Sequence, residues 1–237
     1  MKRKKDTTYM KYDLVLFDLD NTLLNYKRAE VESVEELRVW LDVKIDSDLF
    51  HRTYKRINHK MWTDFEDGLI DVNLLKTERF RKLSLELGFL CDPSNCSEKY
   101  LYFLSLKAYP LDGMYDILDK LKGKTKLAIV SNGLSKVQYN RIELAKLNQY
   151  FKHIFLSEEL GASKPDIEYF EKVFLNLDWK ELDKAIIIGD NLNSDIKGGY
   201  NFGIATCWAN LFESEYTSGV KPDYTISELN QLEKILF

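Results

Sequence analysis

The sequence predicts an α/β fold: a parallel sheet covered by helices on both faces, with a helical insertion directly after the first strand. Three observations carry this reading. Short apolar runs that end in polar clusters recur along the chain, helical stretches lie between them, and one long segment lacks such runs altogether. Strands alternating with helices imply a parallel sheet buried on both sides.

The first run, residues 12–17, reads Y-D-L-V-L-F and ends at Asp18-Leu19-Asp20-Asn21-Thr22. That is a buried strand followed by a loop. Residues 126–130 (K-L-A-I-V) end at Ser131-Asn132-Gly133, residues 153–156 (H-I-F-L) at Ser157, and residues 185–188 (A-I-I-I) at Gly189-Asp190-Asn191. Residues 204–207 (I-A-T-C) make a fifth strand. Helices are expected at about 136–146, 166–175 and 195–201.

Residues 25–107 differ, being rich in charged and aromatic side chains. Phe50, Tyr54, Ile57, Met61 and Phe65 recur at spacings of four, three, four and four, which is one face of a helix. Asp71 caps a second helix, with Leu75, Phe80, Leu83 and Leu87 as its buried stripe and Gly88 at its end. Residues 29–41 and 97–107 also read as helical, giving an insertion of four or five helices. Core packing accounts for most of its aromatic residues.

Composition sets limits. The 237 residues suffice for one large domain, or for a core with an inserted module. A net charge of −4 argues against a nucleic-acid partner. The one strong basic run, Lys2-Arg3-Lys4-Lys5, reads as a solvated tail. It precedes no apolar stretch of signal-peptide length, and no run is long enough to cross a membrane. The three cysteines, Cys91, Cys96 and Cys207, are odd in number, which suits a reducing, cytoplasmic setting. Their spacing matches no CxxC site, and the histidines at 51, 59 and 153 are scattered, so a cysteine metal site is not expected.

The polar residues that carry chemistry each follow the C-terminal end of a strand, the edge where open parallel sheets bind ligands. Asp18 and Asp20 lie two apart, which in extended chain puts both carboxylates on one side, about 6–7 Å apart. Such a pair suits two jobs, nucleophilic attack and proton transfer, though a solvated turn would look the same. Ser131-Asn132-Gly133 offers a hydroxyl and backbone N–H groups to phosphate oxygens, or is simply a strand-to-helix turn. Lys164 offers a compact positive charge, with Pro165 in the first turn of the next helix. Asp190 is a hard oxygen ligand suited to magnesium, and Asp18, Asp20 and Asp190 together make an oxygen-rich site. Asp195 either reaches the metal through water or caps the following helix.

Taken together, D-x-D-N-T, S-N-G, K-P and G-D-x-x-x-S-D, in this order, resemble the haloacid dehalogenase superfamily of phosphotransferases. The resemblance runs from residue 12 to the C-terminus. It implies a Rossmann-like parallel-sheet core of residues 1–24 and 108–237, with residues 25–107 as a helical cap that closes over the site. It makes Asp18 the nucleophile and Asp20 the general acid/base. Ser131 and Lys164, with Asn132 beside them, bind the transferring phosphoryl group. Asp190 binds Mg2+ with support from Asp195. Residues 57–70 (I-N-H-K-M-W-T-D-F-E-D-G-L-I), Arg79-Phe80 and G-D-N-L-N-S-D-I are similar to the bacterial 5′-nucleotidases of pyrimidine and non-standard nucleotides. The partner so implied is a small phosphorylated metabolite, a nucleotide. A dehalogenase of the same superfamily would lack Asp20. A sugar phosphatase or phosphoglucomutase shares the core motifs. A non-catalytic nucleotide-binding module would miss a motif residue, and none is missing.

Overall fold

The computed structural model describes residues 10–217 and 219–237; the basic run at positions 2–5 lies outside them. Strand β1 (Leu14–Phe17) is followed by four helices, α1 (Tyr26–Trp40), α2 (Ser47–Glu66), α3 (Val72–Leu87) and α4 (Pro93–Ser105). Next come α5 (Met114–Leu121), β2 (Lys126–Ser131), α6 (Ser135–Leu144), β3 (His153–Leu156) and the single turn α7 (Ser157–Leu160). After α8 (Ile167–Leu177) and β4 (Ala185–Gly189), a π-helical turn (Leu192–Ile196) runs into α9 (Lys197–Phe202). Strands β5 (Ala205–Ala209) and β6 (Tyr224–Ile226) and helix α10 (Leu232–Leu236) complete the described chain.

The chain forms two compact units. The first comprises the stretch up to Leu24, Pro110–Asn132 and Asn148–Phe237. Its sheet has six strands among the described residues, in the order β3-β2-β1-β4-β5-β6, all parallel. This is the α/β, Rossmann-like architecture. Strand β1 is buried along its whole length because it pairs with β2 on one side and β4 on the other. Leu14 and Leu16 share an apolar cluster with Ala128, Val130, Ile187 and the α8 residues Tyr169, Phe170 and Val173. The register sets Phe17 beside Ile129 and Ile188. Strands β2 and β4 run slightly past the end of β1, to Ser131 and Gly189, so the residues after the three neighbouring strands emerge at one edge of the sheet. The chain leaves β1 where the strand order reverses, the place where such sheets form their crevice.

The second unit comprises Asn25–Tyr109 and Gly133–Leu147. Helices α1 to α4 bury one core that includes Val34, Leu37, Phe50, Tyr54, Leu83 and Leu104. Their starts follow local chemistry. Asn25, Asp46, Asp71 and Asp92 each accept a backbone N–H of the first turn, from Arg28, Leu49, Leu74 and Ser94. Pro93 occupies the first position of α4, so that helix opens four residues before the expected 97. Helix α3 ends at Gly88 in the left-handed conformation (φ 70°). Helix α6 packs with α4, and Leu134 and Val137 join the helical core.

Candidate active site

Asp18, Asp20, Ser131, Asn132, Lys164, Asp190 and Asp195 all lie in the first unit. Asp18 follows β1 directly, and its backbone N–H donates to Ile188 O at 2.9 Å. Ser131 is the last residue of β2, buried and in register with Leu156 of β3. Asp190 follows β4.

Lys164 ties these strands together. It is 1% exposed, and its ammonium uses all three of its N–H donors. They reach Asp18 Oδ1 at 2.7 Å, Asp195 Oδ1 at 2.6 Å and Val130 O at 2.9 Å. Its backbone is held as firmly. Asn132 Nδ2 donates to Lys164 O at 2.8 Å while Lys164 N donates to Asn132 Oδ1 at 2.9 Å. Ser157 Oγ donates to Asn132 O at 3.2 Å. Asn132 thus acts as a clamp between the end of β2 and the lysine loop. Pro165 precedes the cap position of α8, Asp166, and so lies outside that helix's first turn.

The loop after β4 is equally constrained. Asn191 Oδ1 accepts from Asn193 N and Ser194 N, and Asn191 N donates to Asp195 Oδ2 at 3.1 Å. Asp195 does not cap α9, whose cap position is Ile196. Its two carboxylate oxygens are held by Lys164 and Asn191 instead. Gly189 is required for this. A Cβ there would lie 2.2 Å from Asp195 Cγ. Trp208, at the end of β5 and beside Gly189 in the sheet, donates its indole N–H to Asp190 O at 2.9 Å.

Asp18, Asp190 and Asp195 each offer a carboxylate oxygen, all within 4.8 Å of one another. Asp20 is not of this group; its backbone bridges Leu24 in the turn after β1. Three carboxylates against one ammonium leave two negative charges, which matches a divalent cation. The acidities express the same demand. Burial pushes Asp18 up, Lys164 pulls it back, Asp195 and Asp20 add repulsion, and it comes to about 7. Burial, then Asp18 and Asp195, hold Asp190 well above the ordinary carboxylate value. Burial alone would lower Lys164, but Asp18 and Asp195 outweigh it and keep it charged. A hard cation with oxygen ligands fits this donor set. Asp18, Asp190 and Asp195 could together hold such a cation.

Sequence reasoning did not reach three features of this arrangement: the Lys164–Asp195 pair, the Val130 carbonyl and the Trp208 indole. None of the three left a signal in the sequence: the last motif marks Asp195 but not its partner.

A parallel α/β sheet with a lysine and three carboxylates at its carboxyl edge defines a Rossmann-type catalytic core. The chain belongs to the haloacid dehalogenase-like hydrolases, whose family model matches residues 15–209. It is 35% identical to the HAD-hydrolase YfnB of Bacillus subtilis strain 168, over 95% of this chain and 96% of that protein. It is 32% identical to the pyrimidine 5′-nucleotidase YjjG of Escherichia coli K12, over 96% of this chain and 99% of YjjG. Identity is also 32% to the pyrimidine 5′-nucleotidase PynA of Streptococcus pneumoniae R6, over 96% and 100%. A crystal structure of YfnB bound to magnesium, which reveals interdomain movement in that protein, superposes with a TM-score of 0.89, covering 95% of this chain and 98% of that one. No helix among the described residues is long and apolar enough to cross a membrane.

Proposed function

We propose that this enzyme is a magnesium-dependent phosphatase of nucleoside 5′-monophosphates, pyrimidine ones first. One observation carries the reading: a buried carboxylate, Asp18, held 2.7 Å from the Lys164 ammonium and grouped with Asp190 and Asp195. The pyrimidine nucleotidases among its relatives support the substrate class.

The reaction has two halves. An oxygen of Asp18 bonds to phosphorus as the bond to the leaving oxygen breaks, and Asp20 gives that oxygen a proton. Water, giving its proton to Asp20, then attacks phosphorus, and the Asp18–phosphorus bond breaks. Ser131, the Asn132 main chain and the positive charge of Lys164 hold the phosphoryl group. Magnesium, bound by Asp18 and Asp190, would neutralise charge on the transferring group. The carboxylates' own charge is the other half of that balance. The core motifs recognise phosphate and metal alone, so substrate choice falls to the helical unit.

The test is a panel of phosphate esters with magnesium and with a chelator. Hydrolysis that stops in chelator is expected, with pyrimidine nucleoside monophosphates highest in kcat/KM. Chelator-resistant activity or halide release from a haloacid overturns the phosphatase. A hexose phosphate or phosphoglycolate better by tenfold overturns the nucleotide specificity alone; each tenfold corresponds to about 1.4 kcal/mol in the transition state.

A further inference from the structure

Helix α8 lays its buried face on the sheet, and one residue of that face is polar. Phe170, Val173, Phe174 and Leu177 are apolar, while Tyr169 places a phenol in the cluster of Leu14, Leu16, Ala128 and Val130. Tyr169 is fully buried, and its ring meets that of Phe170 edge-on with centres 5.5 Å apart. A hydroxyl in such a core costs stability unless it is bonded, and a phenyl ring would fill nearly the same space without it. Packing therefore accounts for the ring and not for the oxygen.

That oxygen is bonded at the ends of two strands. It donates to Phe155 O of β3 at 2.8 Å and accepts from the backbone N–H of Ser131, the last residue of β2. Val130, one residue earlier on β2, is the register partner of Phe155. The Val130 carbonyl takes the Lys164 ammonium at 2.9 Å. Lys164 and Tyr169 belong to one short segment, and both reach neighbouring backbone groups of β2 and β3. Within that segment Asp166 N donates to Ser163 O at 2.9 Å and Tyr169 N to Asp166 O at 3.2 Å. The turn that carries Lys164 is thus pinned at both ends.

The hydroxyl is a fixed, neutral dipole. Burial, with Asp18 and Asp195 adding to it, outweighs Lys164 and the Ser131 N–H and holds Tyr169 above the ordinary phenol value. It therefore stays protonated across the neutral range, with its proton on Phe155 O and its oxygen toward Ser131. We infer that Tyr169 is a positioning residue of the phosphate site: its hydroxyl pins the segment bearing Lys164 to the ends of β2 and β3, and so fixes Ser131 and Lys164 relative to each other. The inference rests on the phosphatase reading above and adds a residue that none of the sequence motifs contains.

Tyr169→Phe keeps the ring and removes only the oxygen. It is compared with the parent, with Ser131→Ala and with the double variant on p-nitrophenyl phosphate and magnesium. If the hydroxyl acts through Ser131, the two changes are coupled. Tyr169→Phe is expected to lower kcat/KM at least tenfold in the parent, as a misplaced group does, and less than threefold in Ser131→Ala. The pH profile should keep its shape, because this phenol does not titrate there. A loss below threefold in the parent overturns the inference. So does an equal loss in both backgrounds, or a variant that does not fold, the mark of a bond that serves the core alone. A profile that loses one limb overturns it too, since Tyr169 would then transfer a proton. Amide hydrogen exchange, read by mass spectrometry on the peptide that ends β2, needs no catalysis. Exchange at Ser131 is expected to quicken at least tenfold in Tyr169→Phe. A protein that cleaves the ester but shows unchanged exchange removes the inference alone. A protein that cleaves no ester yet loses this protection keeps the anchor and removes the phosphatase. One that does neither removes both.

Discussion

Asp18 and Asp20 stand two residues apart, yet their surroundings differ. Asp18 is bonded to Lys164 and grouped with Asp190 and Asp195, whereas Asp20 lies outside that group. The two substitutions should therefore fail differently. Asp18→Asn should abolish turnover, since an amide is a poor nucleophile. Asp20→Asn should still release a burst from an ester with a good leaving group and then stall as phospho-enzyme. Rapid-quench detection of acid-stable label on the protein distinguishes them, and steady-state activity retained in Asp18→Asn sinks the assignment. A second prediction concerns Gly189. A methyl group there meets Asp195, which holds Lys164. Gly189→Ala should lower kcat by about a hundredfold, the usual cost of a misplaced catalytic group. Activity within twofold of the parent would refute it. At this scale Asp18 and Ser131 were legible because each directly follows an apolar run, and Lys164, Asp190 and Asp195 because they stand in K-P and G-D-x-x-x-S-D. Their hydrogen bonds were not. Nothing in the spacing of Lys164 and Asp195 says that the first donates to the second.

Elements were legible in proportion to their length and the strength of their punctuation. Helix α3 carries Asp71 before it and Gly88 after it, and both act as the sequence suggests. Strand β6 has three residues, too few to show any period, and α5 lies in a segment with no recognisable start signal, since Gly113 at its cap position offers no side-chain hydrogen bond. The π-helical turn at Leu192–Ile196 has no pattern of its own; it exists because Asn191 and Asp195 bond to each other across it. Strand β5 yields the prediction at this scale. Trp208 packs with Leu192 and Ile196 and bonds to Asp190 O. Trp208→Phe keeps a ring but removes the indole N–H. Groups that orient metal ligands typically matter by about tenfold or more in metal affinity, so half-saturation by magnesium should rise roughly tenfold. Calorimetric titration of chelator-stripped protein measures this, and an unchanged affinity excludes the role.

For the whole molecule, the acid cluster links stability to metal and to pH. Asp18 titrates near about 7 in the folded chain, above its ordinary value of 3.8. Between those values the folded state binds more protons than the unfolded one, so metal-free stability falls as pH rises through that window. Burial is the main cause, with repulsion from Asp195 and Asp20 added to it, and a bound cation offsets both. The gain in Tm on adding magnesium should therefore be larger at about pH 8 than at about pH 5. At a hundredfold excess over its Kd, a ligand of the native state alone adds about 2.7 kcal/mol. Scanning calorimetry with magnesium or chelator tests both statements, and a gain that shrinks with pH contradicts them.

The division of the chain bears on how such a gene exchanges parts. The helical unit is written in two places, Asn25–Tyr109 and Gly133–Leu147, with Pro110–Asn132 of the first unit between them. Its apolar core takes in Leu134 and Val137 as well as α1 to α4. A recombination that replaces residues 25–109 alone inherits a foreign surface for α6. Chimaeras carrying only that cassette from a distant relative should be poorly soluble, while those that also carry 133–147 should be recovered as monodisperse protein by size-exclusion chromatography. Equal recovery of the two would show α6 indifferent to its partners. In lineages that acquired a new helical cassette, change at 134 and 137 is then expected to be inherited with it, although the two stretches are separated in the reading frame by the strand that ends in Ser131.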